Sequence, residues 1–211
     1  MKLIISAVED VVVDTFSDGK YNEYMAQKIK AEDILGVIQS RIDGNFDKVE
    51  EILLNVGPGS FTGIRASMAL VLGLTASKKI NIIPFTTFDA MEYSKLTAKQ
   101  ILAVNGFSNF VYISYLDGDK RVSDSIEIEK LIEFAIKNKM TILTYSDNIL
   151  EEVISGGANA QKIKFSVKFA LERYMNNTLE KRTFEPVYLR LSQAEIQRKE
   201  KNSSGKAKRS N

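Results

Sequence analysis

Short apolar runs alternate with amphipathic stretches along most of this chain. "LIISA" (3–7) and "VVVDTF" (11–16) read as strands joined tightly through "VED", followed by the turn "SDGK" (17–20). "YNEYMAQKI" (21–29) completes a three-stranded meander. In "AEDILGVIQSRI" (31–42), Ile34, Val37, Ile38 and Ile42 recur at helical spacing. "EILLNV" (51–56) is a short apolar strand, and the glycine-rich stretch after it opens a helix running to about Lys79. "INIIPF" (80–85) predicts a strand, and "TTFDAMEYSKL" (86–96) a helix capped by Thr86 or Thr87.

A second unit repeats the theme. "ILAVNG" (101–106) and "FVYISYL" (110–116) alternate as half-buried strands, "DGDK" (117–120) is a hairpin turn, and "RVSDSIEI" (121–128) is the return strand. "IEKLIEFAIKNK" (128–139) is an amphipathic helix and "MTILTY" (140–145) a strand. The pattern then predicts a loop over "SGGANA" (155–160), a helix over 161–177 and an extended closing segment, "FEPVYLRL" (184–191). The order of elements defines an α/β protein with a mixed sheet and packed helices in each half. No repeat of fixed period is visible. The break at "SKLTAKQ" (94–100) divides the chain into units at 1–98 and 99–191, with 192–211 as a basic, disordered tail.

Composition narrows the chemistry. The 211 residues include no Cys and no His, which removes thiol, disulfide and imidazole chemistry and leaves carboxylates, Ser, Thr, Tyr and Lys. The apolar runs are too short to span a membrane, and the start lacks the pattern of a secretory signal, so the expected location is the cytoplasm. The formal charge is +2; residues 192–211 hold six Lys/Arg against two Glu, a net +4. Such a tail suits either RNA contact or solubilisation.

The most informative stretch is Gly57-Pro58-Gly59-Ser60-Phe61-Thr62-Gly63-Ile64-Arg65. Strand, glycine turn and helix is the context of a phosphate cradle. The spacing fits neither the P-loop, since no Lys follows the glycines, nor the dinucleotide fingerprint. A rigid turn or an interface is the other reading. In the helix that follows, Ala66, Ala69, Gly73 and Ala76 form a stripe of small residues against which another backbone can approach. That stripe packs either within the fold or against a partner. Arg65 is the one charge near the helix start, placed to pair across an interface or to hold nearby carboxylates.

The run "NVGPGSFTGIRASMALVLGLTASKKINIIPFTTFDAM" resembles the bacterial TsaB/YeaZ family, whose hallmark is a GPGSFTGLR-type loop after a short strand. "PVYLRLSQAEIQRK" (186–199) is similar to the family's closing segment, and Val111 and Tyr112 match its V-Y pair. The resemblance implies two RNase H-like subdomains of the actin/sugar-kinase/Hsp70-like superfamily. It implies a non-catalytic, glycoprotease-like subunit, without a cofactor or bound metal of its own, in threonylcarbamoyladenosine (t6A) modification at adenine 37 of tRNAs reading ANN codons. The implied partners are a TsaD-type catalytic subunit, a TsaE-type ATPase and, for the free protein, a second copy; tRNA is reached through the complex. The implied interface gathers Ile34, Ile38, Arg65, Ala66, Ala69, Gly73 and Ala76. Departures are clear: Ala7 stands where the family has Asp, Lys30 where it has His, and Asn105-Gly106-Phe107 where it has D-A-R. Each argues against independent catalysis. The alternative is a nucleotide-binding enzyme of the same superfamily that recruits Asp10 or Asp14.

Overall fold

The computed structural model describes residues 1–26, 33–76 and 78–189. Expectations for residues 27–32, for Lys30 and for the tail from 190 onward lie outside the described residues. The first sheet contains β1 (Lys2–Ser6), β2 (Val11–Ser17), β3 (Lys20–Asn22), β5 (Glu51–Asn55) and β6 (Asn81–Phe85) in the order β3-β2-β1-β5-β6, with the short β4 (Met25–Ala26) also on β2. The second contains β7 (Gln100–Asn105), β8 (Phe110–Asp117), β9 (Lys120–Glu127), β10 (Thr141–Thr144) and β11 (Asn159–Lys162) in the order β11-β10-β7-β8-β9. In each sheet the first strand pairs antiparallel with the second and parallel with a later strand that follows a helix. Two consecutive mixed sheets therefore share one connectivity.

Both faces of each sheet are covered, which is why the central strands read as continuous apolar runs. On β1, Leu3 and Ile5 face α1 (Ile34–Arg41) and α2 (Phe61–Thr75), while Ile4 faces α5 (Val167–Met175) from the other end of the chain. In the second sheet Ile101 and Ala103 pack on α3 (Ile128–Asn138) and α4 (Asp147–Ser155). Leu102, Val104 and Tyr112 turn toward Phe88, Met91 and Leu96, joining the second sheet to the segment that leaves the first. Full burial of each such apolar side chain contributes about 1.5–3 kcal/mol, an upper estimate.

Three expectations are corrected. Residues 86–96 do not form a helix: one 3-10 turn spans Thr87–Ala90. Asp89 accepts from the Thr86 amide and hydroxyl, and Arg173 then takes the carbonyls of Asp89 (2.7 Å), Met91 (3.2 Å) and Tyr93 (2.6 Å), which a helix would have used itself. Met91 instead bridges to Phe165. Similarly, the predicted helix over 161–177 and the loop before it are replaced by β11, which pairs along β10, and by α5, which starts only after its cap Ser166. Pairing with a preformed edge outweighs local helical periodicity there. Helix α4, absent from the sequence expectation, is signalled by Ser146, whose hydroxyl caps the Ile149 amide, and by Ile149 and Val153 one turn apart in the core. The closing segment is described to Leu189 and forms no strand; the Val187 amide donates to the Val56 carbonyl (2.8 Å).

Candidate functional site

The glycine loop follows from the strand that precedes it. The Asn55 side chain at the end of β5 accepts from the Gly57 amide (2.9 Å) and donates to Ser6 on β1 (3.1 Å). Across the peptide bond Gly57–Pro58, which is cis, the Thr87 amide donates to the Gly57 carbonyl (2.9 Å) and the Thr87 hydroxyl to the Pro58 carbonyl (2.5 Å). Gly57 has φ +107°, and a Cβ there would stand 2.8 Å from Ile64 Cδ1 and 2.9 Å from the Val187 carbonyl oxygen. Such a backbone and so close an approach require glycine. Gly59 packs on Val8, whose carbonyl accepts from the Ser60 amide (2.8 Å). The Ser60 hydroxyl caps α2 by accepting from Gly63 (3.3 Å). Thr62 is exposed on the first turn.

These bonds weigh against an anion cradle at the loop. A phosphate cradle needs several amides aimed at open space. Here the amides of Gly57, Ser60 and Gly63 each meet a protein acceptor, Pro58 has none to offer, and the β1–β2 turn lies directly over the helix start. The loop is a packing device that brings α2 against that turn.

The closing segment completes the device. Tyr188 stacks on Phe61, with ring centroids 3.9 Å apart and planes within 7°. Arg65 lies over both rings and donates from Nε to the Tyr188 hydroxyl (2.9 Å). The signature loop, 57–65, and the described start of the closing match, 186–189 of 186–199, therefore meet in space, and Arg65 serves that junction. We expect Tyr188→Ala to destabilise the fold by about 1–3 kcal/mol, through loss of the stack and the hydrogen bond. Tyr188→Phe keeps the stack and should lose about 0.5–1.5 kcal/mol. Urea unfolding of the two variants measures the difference.

The turn at Ala7, Val8 and Glu9 reaches the second sheet. Glu9 Oε1 accepts from Asn105 Nδ2 (3.0 Å) and from the Tyr145 hydroxyl (3.0 Å), and Asn105 Oδ1 accepts from the Ser146 hydroxyl (2.8 Å). Burial, and then the Glu9 carboxylate, push the Tyr145 phenol well above its ordinary range, so it stays a donor. Glu9, Tyr145 and Ser146 escaped the sequence reading, since 96 and 136 residues separate Glu9 from Asn105 and Tyr145. Asn105, noted only as a departure from D-A-R, proves to be a tie between the sheets. Asp14 is buried on β2, where it accepts from the Tyr21 hydroxyl and the Tyr24 amide (2.7 Å); burial raises its pKa against the opposing pull of those two bonds. Its oxygens are engaged within the fold. Asp10 is exposed beside it, on a cleft of about 720 Å³ that Lys162, Lys164 and Lys168 also line. Among the described residues no group of three or more acidic side chains is placed to hold a metal ion.

The α2 helix settles which way its small residues point. It buries Gly63, Ile64, Ser67, Met68 and Val71 against the first sheet. Ala69, Gly73 and Ala76 are exposed, Ala66 sits at the border, and Leu72 is 52% exposed. Positions 69, 72, 73 and 76 thus form an i, i+3, i+4, i+7 stripe of small and apolar residues facing away from the sheet. On α1, by contrast, Ile34 and Ile38 are fully buried in the core they share with Ile64, Met68 and Val71 of α2; they hold the helix to the sheet and present nothing outward. The apolar residue α1 does expose is Leu35.

A chain built as two mixed sheets of matching connectivity, with flanking helices and the glycine loop at the first, has the fold of YeaZ from Pseudomonas aeruginosa: TM-score 0.65, 15% identity, 89% of this chain and 99% of that one. A second crystal structure, described as an uncharacterized protein with similarity to peptidase YEAZ from Pseudomonas aeruginosa, matches with TM-score 0.64 at 16% identity over 90% of this chain and 99% of that one. In sequence, the chain is 27% identical over 107 residues to the tRNA threonylcarbamoyladenosine biosynthesis protein TsaB of Haemophilus influenzae. That match covers 47% of this chain and 45% of the relative, so it spans less than half of the relative's length. No family model matches. The structural matches show that this chain shares the YeaZ fold, and the sequence match adds a likeness to one TsaB protein over about half of the chain.

Proposed function

We propose that this protein is a non-catalytic subunit of the t6A-forming machinery, which docks a TsaD-type catalytic subunit through the outer face of α2 and works with a TsaE-type ATPase. The observation that carries the reading is the outward stripe of Ala69, Leu72, Gly73 and Ala76, set on a helix whose start is fixed by the signature loop. Small residues let a partner helix approach to backbone distance, and an exposed leucine beside them supplies apolar area to bury. Arg65 and Ala66 lie at the upper border of this face. Alone, the protein pairs with a second copy over the same surface. We read the two sheets as RNase H-like subdomains, 1–98 and 99–191, with the first carrying the docking face. tRNA contact is indirect, through the assembled complex.

Commitment of Asp14, the Ala at position 7 and the lack of any His or Cys favour a supporting subunit over an independent nucleotide-dependent enzyme. No described helix is long and apolar enough to cross a membrane, which is compatible with work in the cytoplasm. The test is reconstitution: purified protein, TsaD- and TsaE-type subunits, threonine, bicarbonate, ATP and tRNA. Modified adenine should form only when this chain is present. Equal modification without it would end the proposal.

A further inference from the structure

The cleft of about 720 Å³ beside Asp10 is walled by β2 and the residues after β3 on one side, and by β11 and the start of α5 on the other. Its floor is apolar: Val12, Ile163 and Val167 are buried there, and the rings of Tyr145 and Phe165 meet with centroids 5.0 Å apart. Its rim is acidic. Glu9, Asp10, Asp14, Glu23 and Glu172 line it against three lysines, a net charge of −2. Charges that touch the rim from outside leave that balance as it is, since Asp147 pairs with Lys162 and Arg41 lies over the Tyr24 ring. The hydrogen bonds that Glu9 and Asp14 accept come from neutral donors. Asp10, Glu23 and Glu172 are exposed, and their carboxylates have no partner among the described residues.

The chain carries a matching segment of its own. Leu189, the last described residue, packs on the apolar cluster that contains Ile163 and Tyr145, and both of these also line the cleft. Residues 201–211, "KNSSGKAKRSN", hold Lys201, Lys206, Lys208 and Arg209 and no acidic side chain. The eleven residues 190–200 between the two can span up to about 36 Å, so 201–211 reach the cleft with every described element in place. We propose that residues 201–211 dock in this cleft, with their four cationic side chains on the acidic rim. The small residues Ser203, Ser204, Gly205 and Ala207 let the backbone enter between the walls. Tethering holds such a segment at an effective concentration of about a millimolar, so individually weak ionic contacts suffice. The contact weakens as salt rises, and it shields the cleft from other cationic segments.

The probe is a synthetic peptide of residues 201–211, titrated by calorimetry at low salt into the full chain and into a chain ending at Glu200. It should bind the shortened chain saturably and the full chain at least about tenfold more weakly, because the full chain fills its own cleft. In the shortened chain, Asp10→Lys and Glu172→Lys should each weaken the peptide about tenfold or more; both positions are exposed, and thermal unfolding checks that each variant folds. In the full chain, zero-length carbodiimide coupling should join Lys206 or Lys208 to Asp10, Glu23 or Glu172. Equal affinity for the two chains, no binding to the shortened chain, or an unchanged affinity in both folded variants would overturn the docking. So would couplings of 201–211 that fall only outside the cleft. Loss of tRNA binding on shortening, with no binding of the peptide, would assign the segment to RNA instead.

Discussion

Replacing Gly63 by alanine should destabilise the protein by about 3 kcal/mol or more, beyond the usual range for one added methyl group in a core. A Cβ at Gly63 would overlap the Ala7 carbonyl oxygen and stand 2.9 Å from its carbonyl carbon. The obstacle is backbone rather than the end of a flexible side chain. That backbone is held in turn: β1 pairs with β2 on one side and β5 on the other, and the Val8 carbonyl holds the Ser60 amide. Neither the turn nor the helix can move without breaking the other's bonds. Against a total stability of about 5–15 kcal/mol for a domain, this is a large fraction. Gly73→Ala, ten residues along the same helix, is the control. A Cβ there meets nothing within 4 Å, so the change should stabilise by about 0.5–1 kcal/mol through helix propensity. Urea unfolding of the pair therefore yields shifts of opposite sign. If Gly63→Ala is as stable as the parent, the close packing of loop and turn described above is wrong.

Ala69→Arg should leave the fold within about 0.5 kcal/mol of the parent, because Ala69 is exposed in the isolated chain. Its effect on docking should be far larger. A long charged side chain in the middle of a stripe of small residues holds the partner helix away and leaves a cation to be desolvated. We expect a loss of at least about 2 kcal/mol, roughly 30-fold in affinity, the size of effect seen when a central interface residue is disrupted. The self-association of the free protein should weaken with it, since the proposal gives both the same face.

How far the chain discloses this arrangement differs from element to element. The strands at 3–6, 51–55 and 101–104 are legible because both of their faces are buried, leaving uninterrupted apolar runs. Helix α3 is legible because one face only is apolar. The 86–96 segment is not, because the side chain that takes its carbonyls, Arg173, lies 80 to 84 residues away. Nor does the common connectivity of the two sheets appear as a repeat, since strand order is set by pairing and survives without any shared residues. In the site, the glycines of the loop announce a demanding backbone, yet the choice between anion cradle and packing device depends on where Val8 and Asn55 place their acceptors. The small-residue stripe is readable as spacing alone. Its direction is not, because α2 is apolar around most of its circumference; the exposure of Leu72 and the burial of Ile64, Met68 and Val71 decide it. Periodicity likewise locates Ile34 and Ile38 on an apolar face of α1, and that face is the core rather than an interface.

The most direct measurement is isothermal calorimetry of this protein against its TsaD-type subunit, run with the parent chain and with Ala69→Arg after both are shown to be folded. Docking through the outer face of α2 predicts a one-to-one complex with the parent and affinity at least about 30-fold weaker with the variant. Equal affinity for both chains, or no binding by the parent, would contradict it.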